Sequence, residues 1–233
     1  LSQNILIVGA SGGVGRALGD IYKAKGYQLI GWSRANTNQN LDRYHHISFE
    51  KPESIEKASL SLPPALSRIV VCTGFLHDQS LEPEKTYKQL DVKHMQHAFL
   101  INTIGPMLVA KAVFQKLKAL QQGVFACLSA RVGSISDNRL GGWYSYRASK
   151  SALHQMMKTL SIEAARTHKS MAVISLHPGT VDTQLSRPFQ KNVPKNQLFS
   201  PEQSAKHLHE VIETCTPDHT GKIFDWAGRE IVP

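Results

Sequence analysis

The chain has 233 residues with 41% hydrophobic residues, which predicts one large folded domain rather than a disordered segment. Its formal charge of +9 invites a nucleic-acid reading, but the lysines and arginines are scattered, so a solvated basic surface without nucleic-acid binding is expected. No apolar run approaches the roughly 20 residues needed to cross a bilayer, so no membrane partner is expected.

No secretory leader is expected, because the sequence enters a strand-like run almost at once, Asn4 to Val8. Cys72, Cys127 and Cys215 form no C-x-x-C pair, and Cys72 and Cys127 sit in apolar runs, which fits a reducing, cytoplasmic setting. The run from Asn4 to Gly9 is the kind of strand that is buried on both faces of a parallel sheet. It leads through Gly9, Ser11, Gly13, Val14 and Gly15 into a helical pattern that places Val14, Leu18, Ile21 and Tyr22 on one face. Strand, glycine turn and helix together make a phosphate cradle. The glycines admit a pyrophosphate to the backbone, and the helix start offers unpaired N–H groups.

Gly26 caps that helix, and Tyr27 to Trp32 is the second strand. It ends in Ser33-Arg34-Ala35-Asn36 instead of an acidic residue. An arginine there can meet a ribose 2′-phosphate with a planar fork of donors, so NADP is favoured over NAD. A third strand is predicted at His46 to Phe49, then a helix near Pro52 and a fourth strand from Arg68 to Thr73, followed by Gly74. A long helical pattern covers 86–120, with Asn102 and Gly105 inside it as signs of a kink or a close approach. A fifth strand, Gly123 to Ser129, leads into a glycine-rich loop containing Ser134.

The next helix carries Tyr146-x-x-x-Lys150, which places phenol and amine on one helical face. At a separation of roughly 5 Å and an effective dielectric near 20, the ammonium would favour the phenolate by about 3 kcal/mol. That would lower the tyrosine pKa by roughly two units, towards neutral-pH acid–base work. A sixth strand, Met171 to Leu176, precedes His177-Pro178-Gly179-Thr180-Val181-Asp182-Thr183. Residues 184–200 have no clear period and make a candidate substrate lid. A helix from Pro201 to Thr214 and a strand from Gly221 to Trp226 close the chain.

The alternation predicts a single α/β Rossmann-type doubly wound domain over residues 1–233, with a mostly parallel sheet of about seven strands. The Gly9 turn, Arg34, Thr73-Gly74, Ser129 and the Pro178-Gly179 turn all follow strands, so they should gather at one edge of the sheet. His94 and His97 are spaced i, i+3, but no third ligand is evident, so a polar helix face and no metal are expected. His77 and His177 fall near the expected pocket. Trp143 and Tyr144 should pack or shape its wall.

Gly9-x-x-x-Gly13-x-Gly15, Thr73-Gly74, Asn102, Tyr146-x-x-x-Lys150 and Pro178-Gly179-x-Val181-x-Thr183 occur in the order of the short-chain dehydrogenase/reductase family. The chain resembles that family along its whole length, and the loop from Gly133 to Tyr144 resembles its C-factor-like branch. The resemblance implies an oxidoreductase moving a hydride between NADP(H) and a carbonyl or alcohol substrate. Tyr146 would be the general acid, Lys150 the ribose-binding and pKa-lowering partner, and Asn102 the anchor of a water linked to the lysine. Gly9, Ser11, Gly13 and Gly15 would line the pyrophosphate, and Val181 and Thr183 the carboxamide end. A homodimer or homotetramer through the two long helices is also implied.

The sequence departs from the family at three places. Val8 replaces a threonine, and Val71-Cys72-Thr73-Gly74 replaces Asn-Asn-Ala-Gly. Ala130 stands where the carbonyl-binding serine belongs, with Ser134 slightly favoured over Ser129 to supply the hydroxyl. Losing such a donor would cost roughly 2.7–4 kcal/mol, by analogy with oxyanion-hole deletions. The departure motivates an alternative: a nucleotide-binding signalling or regulatory protein with vestigial catalysis.

Overall fold

The computed structural model describes residues 3–35, 41–118 and 122–233. Asn36 and the end of the 86–120 segment lie outside them. In chain order the elements are β1 (Asn4–Val8), α1 (Gly13–Ala24), β2 (Gln28–Ser33), β3 (Arg43–His46), α2 (Pro52–Ser59), β4 (Arg68–Val71), α3 (Val92–Phe99) and α4 (Gly105–Phe114). Then follow β5 (Gly123–Leu128), α5 (Tyr144–Thr167), β6 (Met171–His177), β7 (Thr180–Val181), β8 (Leu198–Phe199), α6 (Pro201–Thr214) and β9 (Ile223–Asp225).

A seven-stranded sheet runs β3-β2-β1-β4-β5-β6-β9, with every pair parallel. Helices cover both faces, so consecutive strand residues are buried on opposite sides. In β1, Leu6 and Val8 join Ile55, Val109, Val113, Leu153 and Met157 from α2, α4 and α5. Ile5 and Ile7 join Leu18, Tyr22, Leu208 and Ile212 from α1 and α6. The chain order reverses between β1 and β4, and ligands of such sheets bind beyond the strand ends at that switch point.

Two expectations are corrected. The third strand is Arg43–His46, not His46 to Phe49. It lies at the sheet edge, where half-exposed polar residues can pair with β2 while Ile47 and Phe49 turn into the core. In addition, Val92–Phe114 is one helical stretch long and apolar enough, by length and composition, to cross a membrane. Half of it is buried inside the domain, and Val109, Ala110 and Val113 sit in the core.

That stretch changes register at Leu100–Ile104, a π turn. Pro106 has no N–H to give the Asn102 carbonyl, so the α pattern breaks there and the Gly105 N–H reaches Leu100 O instead. Gly105 is also a close approach: a Cβ would lie 2.1 Å from Cδ2 of Phe49. Residues 184–200 form short turns, and β8 pairs in parallel with β7.

Candidate active site

A cleft of 1410 Å³ opens at the carboxyl ends of β1, β2, β4, β5 and β6. It exceeds the roughly 300–1,000 Å³ common for one drug-sized ligand. Gly9, Ser11, Gly13, Val14, Gly15 and Arg34 line its glycine end, and Thr73, Gly74, Tyr146, Lys150, Pro178, Gly179, Val181 and Thr183 line the rest. Thr183 reaches back to the glycine turn, where a Cβ on Gly13 would lie 3.1 Å from its Cγ2.

The glycine end follows from steric demand. Gly9 has φ +85°, and a Cβ there would press on the Cys72–Thr73 backbone at 3.1 Å. A Cβ on Gly15 would sit 2.3 Å from the Gly9 carbonyl oxygen, so only glycine lets α1 start directly on the turn. The first turn of α1 has no acidic residue and no side-chain cap. Its N–H groups and positive dipole end therefore face the cleft. This cradle, with a guanidinium beyond β2, fits the phosphates of a dinucleotide.

Asn102 is fully buried and clasps the β4 loop. Its Oδ1 accepts the Phe75 N–H at 2.8 Å, and its Nδ2 donates to the Phe75 carbonyl at 2.8 Å and to the Ser149 hydroxyl at 3.0 Å. The side chain ties the loop after β4 to α5.

Lys150 Nζ donates to the Leu128 carbonyl at 3.0 Å and lies 5.9 Å from the centre of the Tyr146 ring. Burial pulls the amine down to about 8 and pushes the Tyr146 phenol above its ordinary value. The expected lowering of Tyr146 by Lys150 is thus corrected: in the folded chain the shift is upward. Burial in an apolar wall disfavours the charged phenolate and is the cause of the upward shift.

Neither proposed serine offers its hydroxyl to Tyr146. Ser134 lies beyond the cleft wall and donates to the Val232 carbonyl at 2.6 Å. The turn Arg131–Gly133 carries it past the strand end, a path that residue counting from Tyr146 cannot reveal. Ser129 lines the cleft, but its hydroxyl pairs with Nε2 of His154 at 2.6 Å. Ala130 occupies the position beside Tyr146, packed with Leu76.

Around Tyr146 the wall is apolar: Leu76, Ala130, Val132, Trp143, Leu185 and Phe189 form one cluster. Trp143 stands edge-to-face against both Tyr146 at 6.1 Å and Phe189 at 5.0 Å, whereas Tyr144 is partly exposed and outside the cleft lining. His77 and His177 both line the cleft, and His77 Nε2 lies 3.1 Å from the carbonyls of Gln184 and Leu185. That contact joins the 184–200 segment to the β4 loop. His94 corrects the expectation of a polar helix face: it is buried, with its ring against Phe75 and Nδ1 3.7 Å from Glu84. Among the described residues, no group of three or more His, Cys, Asp or Glu is placed to hold a metal ion.

Sequence reasoning marked the 184–200 segment without singling out Leu185 and Phe189, and it missed Glu84. No motif marks them, because they meet the site only through loops. Gly141-Gly142 before Trp143 was a usable signal of left-handed backbone, and Trp143 itself has φ 53°.

Residues 3–194 match a family model described as short chain dehydrogenase. The C-signal protein of Myxococcus xanthus is 31% identical over 145 residues, which is 61% of this chain and 80% of that protein. A 1-hydroxy-2-glutathionyl-2-methyl-3-butene dehydrogenase of a Rhodococcus species is 34% identical over 133 residues, 57% of this chain and 56% of that protein. Among solved structures, NADPH-bound carbonyl reductase from chicken fatty liver superposes with a TM-score of 0.84 at 21% identity, over 100% of this chain and 99% of that one. The carbonyl reductase Sniffer of D. melanogaster gives 0.83 at 19% identity, with 100% of both chains covered. At these identities the structural likeness is one of fold.

Proposed function

The chain belongs to the short chain dehydrogenase family, and on that premise we propose that it is an NADP(H)-dependent reductase of small or medium apolar carbonyl compounds. The observation that carries the reading is the convergence of Tyr146, Lys150 and the glycine turn in one cleft, with Asn102 buttressing it. The solved carbonyl reductase with bound NADPH supports the choice of cofactor and reaction.

Gly9, Ser11, Gly13, Val14 and Gly15 would hold the pyrophosphate, and Arg34 a ribose 2′-phosphate. Thr73 and Gly74 would contribute on the adenosine side, Val181 and Thr183 would meet the carboxamide end of the nicotinamide beside Pro178 and Gly179, and Lys150 would hold its ribose. The bound nicotinamide would supply the hydride. Tyr146 would donate its phenolic proton to the carbonyl oxygen, helped by an environment that keeps the phenol protonated until then. The apolar cluster of Leu76, Val132, Trp143, Leu185 and Phe189 would exclude water and receive an apolar substrate body. Residues 184–200 would act as its lid.

NADPH oxidation measured against a panel of aldehydes and ketones tests the reading. Turnover is expected in the wild type, with a loss of about 10²-fold or more in Tyr146→Phe, while NADPH still binds. Unchanged activity of Tyr146→Phe on every accepted substrate would refute the role of Tyr146.

A second reading is favoured by Ala130, which places a methyl in the cluster with Tyr146 where a serine was expected, and by the likeness to C-signal. It is a nucleotide-binding regulatory protein, which would bind NADPH tightly yet turn over no panel member. For assembly, the exposed Ile104, Met156 and Ile162 on the two long helical segments support a homodimer or homotetramer. Sedimentation analysis would distinguish these from a monomer.

A further inference from the structure

Glu84 sits in the loop between β4 and α3, far in sequence from the catalytic helix, yet it is almost completely buried against that helix's first turn. Its backbone carbonyl accepts the Trp143 N–H at 2.5 Å. Its carboxylate accepts the Ser145 N–H at 3.1 Å and also the Ser145 hydroxyl. Nδ1 of His94, itself buried, lies 3.7 Å from the same carboxylate.

Three features give this arrangement a purpose. Trp143 is, among the described residues, the non-glycine residue with positive φ, at 53°, a conformation a bulky side chain adopts only when its surroundings impose it. Helix α5 carries no acidic residue in its first turn and no side-chain cap of its own. Its first N–H groups and its positive dipole end need an acceptor from elsewhere. Finally, the two residues Glu84 grips, Trp143 and Ser145, flank Tyr144, Ser145 immediately precedes Tyr146, and the Trp143 ring packs on both Tyr146 and Phe189.

We propose that Glu84 is the positioning residue of the site: it locks Trp143 in its left-handed conformation and fixes the first turn of α5, so that the Tyr146 phenol and the Trp143 ring face the cleft together. The clamp acts through backbone and Ser145, and Glu84 touches no reacting atom. Its consequence for turnover rests on the proposed role of Tyr146, whereas the clamp itself is a property of the folded chain.

Two measurements on Glu84→Ala, Glu84→Gln and Ser145→Ala test this. The first is amide hydrogen exchange by mass spectrometry on the whole chain. Glu84→Ala is expected to speed exchange at residues 143–150 by tenfold or more while peptides of β1, β5 and β6 keep wild-type rates. Glu84→Gln retains an oxygen for the Ser145 N–H and should stay within about threefold. Ser145→Ala should fall between them and carries the comparison should Glu84→Ala not fold.

The second measurement is steady-state reduction of the best carbonyl on the panel. Glu84→Ala is expected to lower kcat by tenfold or more with KM for NADPH within twofold, and Glu84→Gln to restore most of it. Wild-type exchange at 143–150 in Glu84→Ala, or loosening spread evenly over the sheet, overturns the clamp. So does an unchanged kcat in an otherwise active enzyme. If the wild type reduces no carbonyl, the reductase reading falls and the exchange result alone decides the clamp.

Discussion

Lys150 Nζ lies 5.9 Å from the centre of the Tyr146 ring and gives its hydrogen bond to the carbonyl of Leu128. The pair that looks like an ion-assisted phenolate in the sequence is, in the fold, a buried amine and a buried phenol, each pushed towards its neutral form. The tension between burial and charge sets the first prediction.

Lys150→Met should inactivate the enzyme and stabilise the fold. Burial lowers the Lys150 amine from 10.5 to about 8. Below about pH 8 both folded and unfolded chains hold the proton, and the full burial cost is present. Between about 8 and 10.5 the unfolded chain holds more proton, so this group's contribution to stability rises with pH. Methionine removes the buried charge but leaves the Leu128 carbonyl without its donor. A net gain of roughly 1–3 kcal/mol at pH 7 is expected from denaturant unfolding. A destabilised Lys150→Met would show that the Leu128 bond outweighs the buried charge.

His154 should make the fold acid-sensitive. Burial, with the Lys150 charge one turn away, lowers its imidazole from 6.5 to about 4. Above about pH 6.5 neither state binds the proton. As pH falls from 6.5 towards 4 the unfolded chain takes it up first, and stability is lost, on the order of 2–3 kcal/mol. Unfolding curves for wild type and His154→Asn across this window should diverge, the variant losing less. Parallel curves would assign the acid sensitivity to other groups.

Ala130→Ser should raise activity. The position is buried in one cluster with Tyr146 and Leu76, so, on the proposed role of Tyr146, a hydroxyl there would be a second donor to the substrate carbonyl oxygen. Removal of such donors costs about 10²–10³-fold in kcat elsewhere. A gain of about tenfold in kcat/KM on a panel ketone is a conservative expectation for an introduced one. Equal or lower activity would mean that the hydroxyl turns instead towards His154 or the backbone.

Arg34→Ala should discriminate between cofactors. A charge-assisted contact of about 1.5–3 kcal/mol corresponds to roughly a 10–100-fold weaker Kd for NADPH, with NADH unchanged. Fluorescence titration of both cofactors on both proteins measures it. Comparable shifts for the two would remove the 2′-phosphate from the argument.

Local sequence carries a large part of this protein. The apolar run of β1, the glycines of the turn and the i, i+4 pairing of Tyr146 with Lys150 depend on backbone sterics and helical periodicity, which act over a few residues. The succession of strands and helices then forces a parallel sheet whose ligand edge is known before any coordinates. The π turn was foreshadowed by Asn102 and Gly105, although its cause is Pro106, which cannot donate to the Asn102 carbonyl.

Tertiary structure decided what periodicity cannot carry. Burial, not spacing, sets the protonation of Tyr146 and Lys150, because desolvation depends on everything packed around a group. The path of the 131–134 turn sends Ser134 to Val232, and Ser129 is captured by His154, so a hydroxyl count could not supply Tyr146 with a partner. Glu84 and Ser145 are 61 residues apart and meet only because the β4 loop folds over the start of α5. Contacts of that kind are fixed by the whole chain's packing, and no local pattern records them.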